Sequence, residues 1–101
     1  MFLYQGNTYK LPVKLTINGE TVMKQDVKKV EFSLGKVVKT YPENVEFKDD
    51  AFLVYLSQEE TLSLEGIPAC QVRVLFNDDS VKCTAVHRMS IMESISKVVL
   101  E

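Results

Sequence analysis

The sequence has no tryptophan, one histidine, two cysteines and four isolated glycines among its 101 residues, and each scarcity excludes a class of function. One histidine and two distant cysteines supply neither a CxxC nor an HxxxH spacing, so we expect no metal site. None of the glycines lies in a glycine-rich loop, which argues against a phosphate-binding turn. The composition therefore predicts neither a metal ion nor a cofactor.

Charge and hydropathy exclude further partners. The 12 basic and 14 acidic residues are scattered along the chain and give a net charge of −2, with no basic stripe of the kind that binds nucleic acid. The apolar runs are far shorter than the roughly 18 residues of a membrane-spanning helix. The opening residues, Met1–Gly6, have neither the basic region nor the long apolar region of a secretory signal. We expect one domain over residues 1–101, with one core.

Alternation of apolar and polar residues is the strongest pattern present. It runs through Tyr9–Ile17, where every odd position is apolar, and again through Cys70–Phe76 and Val81–Ala85 on either side of Asn77–Ser80. A period of two is typical of antiparallel strands with one buried face. With regular turns between short strands, the sequence predicts an all-β, Ig-like antiparallel sandwich of about seven to nine strands.

Local signals refine this prediction. Pro12 cannot donate a backbone hydrogen bond, so the first long strand is expected at a sheet edge, and Asn18-Gly19 predicts a tight hairpin. Ala51–Leu56 is apolar on both faces and is expected in the centre of a sheet. Ser57 and Glu60 have the spacing of a capping box, so one short helical turn is expected near residues 57–64. The spacing in Glu93–Glu101 fits either a last strand or a helical turn.

A symmetric turn about Asn77–Ser80 would place Cys83 opposite Val74 and Cys70 opposite His87. The two thiols would then lie about 13 Å apart along the sheet, too far for a disulfide. We expect both cysteines to be reduced and buried.

Candidate catalytic and ion-binding groups are few. Cys70 and His87 could form a nucleophile and base, but no third polar residue is placed to orient them, and a structural pair is the better interpretation. The acidic turns at residues 49–50 and 78–79 lack the alternating oxygen ligands that calcium requires. We therefore predict no catalytic residue and no metal ligand.

Apolar residues near both ends of the chain are the main candidates for a binding surface. Free ends with this much apolar surface favour contact with a second subunit or a neighbouring protein. The candidate assembly contacts are Phe2, Leu3, Tyr4, Ile95, Val98 and Leu100. An alternative is a carbohydrate-binding platform formed by Tyr41 and Tyr55, which the lack of tryptophan disfavours.

The order of elements resembles the N-terminal domain of phage upper baseplate proteins and, more broadly, small Ig-like tail proteins of phages and prophages. The resemblance is carried by Leu11–Ile17 with its Asn18-Gly19 turn, Val30–Phe32, the polar helical turn Leu56–Leu62, the hairpin Val72–Val81, and Met92–Ser96. It implies a non-enzymatic building block of a tail or baseplate. Its expected partners are further copies of itself and other tail or baseplate proteins, in the virion and, before assembly, in the host cytoplasm. The alternative function is host recognition or carbohydrate binding, and a small enzyme using Cys70 and His87 is a third hypothesis.

Overall fold

Twelve strands and one short helix make up the computed structural model, which describes residues 2–101. The strands are β1 (Phe2–Tyr4), β2 (Tyr9–Val13), β3 (Thr16–Ile17), β4 (Glu20–Thr21), β5 (Val27–Leu34), β6 (Val37–Tyr41), β7 (Val45–Lys48), β8 (Ala51–Leu56), β9 (Ala69–Phe76), β10 (Val81–Cys83), β11 (His87–Arg88) and β12 (Ser90–Met92). Helix α1 covers Gln58–Leu62, and a 3₁₀ turn covers Lys24–Asp26. The all-β fold is confirmed. The strands outnumber the prediction because β3, β4 and β11 are two-residue pieces.

Two sheets form the sandwich. The larger sheet has the order β10-β9-β5-β6, with β11 also paired to β9, and the smaller has the order β2-β8-β7. Strand β8 is central and β2 is an edge strand, as the apolar run at Ala51–Leu56 and the proline at position 12 predicted. Both sheets are antiparallel. The pair β1–β12 is parallel, which the sequence pattern did not predict.

Turn chemistry fixes two hairpins locally. Asn18 and Gly19 join β3 to β4 with φ values of 54° and 81°. Asp49 and Asp50 join β7 to β8 with φ values of 53° and 62°. Two consecutive left-handed residues define the tight turn whose twist matches that of paired strands. Asparagine, aspartate and glycine tolerate this conformation best, so the predicted turns form where expected.

The core has two adjoining parts. Phe52 lies at the centre of the first part with no exposed surface, and the rings of Phe32, Tyr41 and Phe47 pack on it at centroid distances of 5.7, 5.2 and 4.8 Å. The second part lies nearer to β1 and α1. Its buried members are Leu3, Leu34, Val37, Leu56 and Leu64.

The hairpin between β9 and β10 differs from the prediction by one residue. Phe76 N–H donates to the carbonyl of Ser80 at 2.9 Å, so the loop has three residues and ends at Asp79, with φ of 68°. A three-residue loop of this kind shifts the register by one relative to a symmetric four-residue turn. Cys83 therefore pairs with Arg73 and not with Val74.

This shift reverses the predicted orientation of β10. A one-residue slip moves every side chain of a strand to the other face of the sheet. Cys83 is consequently exposed, and the prediction that both cysteines are buried is wrong. The predicted pairing of Cys70 with His87 is confirmed, because one extra residue between β10 and β11 restores the register. Cys70 is half-buried, and both thiols are free.

Candidate functional site

An apolar surface lies where β1 pairs with β12. The parallel register places Tyr4 beside Met92, and both are about half exposed. The exposed ring of Phe2 packs edge-on against the ring of Tyr4, with centroids 5.6 Å apart. Met92 was not predicted from the sequence, since only the pairing of the two strands brings it to this surface.

The C-terminal segment, residues Glu93–Glu101, continues this surface without forming either the strand or the helical turn considered above. Three apolar side chains in it face solvent: Ile95 is fully exposed, Val98 is 72% exposed and Leu100 is 78% exposed. We call these three, together with Phe2, Tyr4 and Met92, the end surface. Five of the six predicted assembly contacts belong to it.

Leu3 is the exception among the predicted contacts. Successive residues of a strand point to opposite faces, so Leu3 lies behind Phe2 and Tyr4, is 2% exposed and packs in the second part of the core. It anchors β1 and cannot reach a partner in the folded protein.

Two glutamine side chains hold the C-terminal segment in place. The Gln5 Oε1 atom accepts from Ser94 N–H at 3.0 Å and from Lys97 Nζ, while its Nε2 donates to the Leu64 carbonyl at 2.6 Å. Gln58 forms two hydrogen bonds with the backbone of Leu100, one accepted and one donated, each 2.9 Å long. The exposed apolar residues between these two attachments therefore lie on an ordered backbone.

Helix α1 is fixed by Thr61, which is 1% exposed. Its hydroxyl accepts from Gly6 N–H at 2.9 Å and donates to the Asn7 carbonyl at 2.8 Å. The predicted capping box is present: Ser57 Oγ accepts from Glu60 N–H, and Glu60 Oε1 accepts from Ser57 N–H. These bonds tie the turn after β1 to the helix that carries Gln58.

Glu60 also forms an ion pair with Lys39 at 2.7 Å. Partial burial raises the pKa of Glu60, but the hydrogen bonds from Lys39 and Ser57 outweigh it and hold the pKa below its usual range. A carboxylate with a lowered folded-state pKa stabilises the fold above its unfolded pKa, and this contribution disappears as the pH falls through the folded value.

We therefore expect Glu60→Gln to lower the free energy of unfolding by about 0.5–1 kcal/mol at pH 7. The difference from the wild type should shrink once the pH falls below the usual glutamate range, and urea unfolding at several pH values would measure it. Glu59→Gln, next to it and exposed, is the control and should show a much smaller difference. A Glu60→Gln deficit that persists undiminished at pH 2–3 would contradict the assignment, since about 4.3 is the ordinary pKa of glutamate.

A second feature is an open groove between the two sheets, with a volume of about 900 Å³. It lies on the side where β2 of the smaller sheet faces β9, β10 and β11 of the larger one, and most of its lining is apolar. Its half-buried apolar wall residues are Leu11, Val13, Ile17, Cys70, Val72 and Met89. The sequence did not predict the groove, because it arises from the separation of two sheet edges.

The charged residues lining the open groove all carry the same sign. They are Lys14, Lys39 and Arg88, whereas no aspartate or glutamate of the described residues lines it. Lys39 is paired with Glu60, and neither Lys14 nor Arg88 has an ion-pair partner within residues 2–101. The whole chain has two more acidic than basic residues, so the positive groove lining has the opposite sign to the net charge of the protein.

The two tyrosines of the alternative carbohydrate platform do not share a surface. Tyr41 packs its ring against Phe52 in the core. Tyr55 lies on the outer face of β8 in the other sheet, where the Lys10 Nζ atom is 5.3 Å from the ring centroid. Of this pair only Tyr55 is exposed, and the Lys10 side chain lies over its ring.

Cys70 and His87 are neighbours across β9 and β11, but no hydrogen bond joins their side chains in the described part of the chain. Within residues 2–101 no three side chains of histidine, cysteine, aspartate or glutamate come close enough together to hold a metal ion. Helix α1 has five residues, and no helix in the described chain has the length and apolar character needed to cross a bilayer.

No protein-family model matches this sequence, and no curated protein or solved structure is significantly similar to it.

Proposed function

We propose that this protein is a non-enzymatic structural building block of a phage or prophage tail or baseplate, which acts by associating with copies of itself and with neighbouring tail or baseplate proteins. It would work in the virion and reside in the host cytoplasm before assembly. The observation that carries the proposal is the end surface, whose apolar side chains are exposed on backbone that hydrogen bonds hold in place.

Ordered apolar side chains favour association for two reasons. Their burial removes apolar area from water, which is the main driving force of protein association. Because Gln5 and Gln58 already fix the backbone, less conformational entropy is lost on binding than for a disordered tail. The apolar side chains of the end surface project from β1, from β12 and from the segment that directly follows β12, and large exposed apolar patches typically mark protein-binding sites.

The test is solution mass, measured by light scattering on a size-exclusion column over a concentration series. We expect the wild type to form an oligomer. The segment variant, Ile95→Ser with Val98→Ser and Leu100→Ser, should weaken association by on the order of 10²–10³-fold, because three apolar side chains lose their burial. The control carries Val38→Ser and Val81→Ser, two substitutions at apolar residues outside the end surface that are 50% and 54% exposed, and should associate like the wild type.

Two results would contradict the proposal. One is a strict monomer at every concentration that also fails to bind any other tail or baseplate protein. The other is an oligomer that the segment variant and the control variant weaken equally, since the end surface would then have no special role.

A further inference from the structure

We propose that the C-terminal segment of one copy docks in the open groove of a neighbouring copy. The inference rests on the proposed function and specifies its contact. It joins two features of the same chain: a largely apolar groove between two sheet edges, and a segment whose apolar side chains face solvent.

The groove is suited to an extended chain. Within residues 2–101, strand β2 pairs only with β8 and β10 pairs only with β9, so each wall ends in a strand with one free edge. Between them Leu11, Val13 and Val72 remain half-buried. Chains added at a sheet edge gain affinity from main-chain hydrogen bonds and specificity from pockets for alternate side chains.

The segment has a matching length. At roughly 3.3 Å per extended residue, Leu11–Ile17 spans at most about 20 Å of the groove wall and Ile95–Leu100 about 17 Å. When the segment is extended, Val98 and Leu100 point to the same face and can enter the apolar lining together. Pro12 removes one donor from the edge of β2, so burial of these two side chains has to supply much of the affinity.

The charges of the groove lining and of the C-terminal segment are also complementary. The lining carries Lys14, Lys39 and Arg88 and no carboxylate, whereas the segment carries Glu93 and Glu101 with Lys97 as its single base. Opposite charges across an interface fix its register and disfavour wrong partners.

The geometry also sets the kind of assembly. The groove and the segment are different surfaces of one chain, so a copy that donates its segment still has its own groove free. Such a head-to-tail contact produces a closed ring or an open filament, according to the rotation between neighbours.

The experiment titrates a synthetic peptide of residues 93–101 into the full-length segment variant, whose own segment has lost its three apolar side chains. Methyl chemical shifts of the protein report where the peptide binds. We expect shifts at Leu11, Val13 and Val72, and no shifts with a peptide that has serine at positions 95, 98 and 100. Reversing the groove charge with Lys14→Glu and Arg88→Glu should weaken binding about tenfold at low salt. The control, Lys24→Glu with Lys48→Glu, makes the same charge change at exposed lysines outside the groove and should have little effect.

Peptide shifts confined to residues outside the groove, or no binding at millimolar peptide, would overturn this inference. If the wild type nevertheless forms an oligomer, the proposed function stands and the contact lies elsewhere on the end surface. A wild type that does not associate at all, together with a peptide that does not bind, would overturn both.

Discussion

Phe52→Ala should lower the free energy of unfolding by about 3–5 kcal/mol, the largest effect of any single substitution that we predict. Phe52 has no exposed surface, and three aromatic rings lie within 6 Å of its centroid. Removing the ring eliminates buried apolar contacts and leaves a cavity between the two sheets. The paired strands on either side cannot move inward to fill it. Because domains of this size are stable by only about 5–15 kcal/mol, the variant should be close to unfolding at 37 °C.

Urea denaturation followed by circular dichroism would measure this change. Phe2→Ala removes the same atoms from a ring that is 54% exposed and should change stability by less than about 0.5 kcal/mol. Phe52→Leu retains most of the volume, so its effect should lie between these two. Equal losses for Phe2→Ala and Phe52→Ala would contradict the position of Phe52 at the centre of the core.

Gln5→Leu should have the second largest effect, a loss of about 1–3 kcal/mol, because it removes three hydrogen bonds of a buried side chain. Gln5 is 8% exposed and bonds to the Leu64 carbonyl, to Ser94 N–H and to Lys97 Nζ. Leucine fills a similar volume but offers no polar atom, so the carbonyl and the amide lose their partners while remaining partly enclosed. The C-terminal segment should also lose its attachment near residue 94.

Amide hydrogen exchange measures both parts of this prediction. We expect exchange in residues 94–100 to accelerate well beyond the general loss of stability. Gln25→Leu is the control, because Gln25 is exposed and its side chain takes no part in the hydrogen bonds of the described chain. Unchanged exchange in the segment of Gln5→Leu would show that Gln58 alone holds it.

Local patterns predicted much of the sandwich. Alternation identified β2 and β9, turn residues identified the hairpins at Asn18-Gly19 and Asp49-Asp50, and the spacing of Ser57 and Glu60 identified α1. Each of these features is determined within a few residues of the chain. The strands follow from the alternation of apolar and polar side chains, the hairpins from residues that tolerate a left-handed backbone, and the helix from its capping box. They could therefore be predicted without knowledge of the tertiary structure.

The predictions that failed share one physical origin: at those places the local sequence is compatible with more than one structure. Either a three-residue or a four-residue loop could join β9 to β10. The hydrogen bond between Phe76 and Ser80 shows that the loop has three residues, and the resulting register leaves Cys83 exposed. Five of the six residues of the end surface were predicted as apolar chain ends, but Met92 joins it, and Leu3 leaves it, only through the parallel pairing of β1 with β12. The open groove depends on how far two sheet edges separate, which no local pattern encodes.

The pairing of β1 with β12 has a consequence for how the protein folds. It joins Phe2 to Ser90 and so closes nearly the whole chain into one loop, whereas most other strand pairs join nearer neighbours. Contacts between residues distant in sequence carry the greatest entropy cost of closure and tend to form late. We therefore expect the end surface to be completed only after the two sheets have formed, so that a nascent chain does not present it before its core is in place.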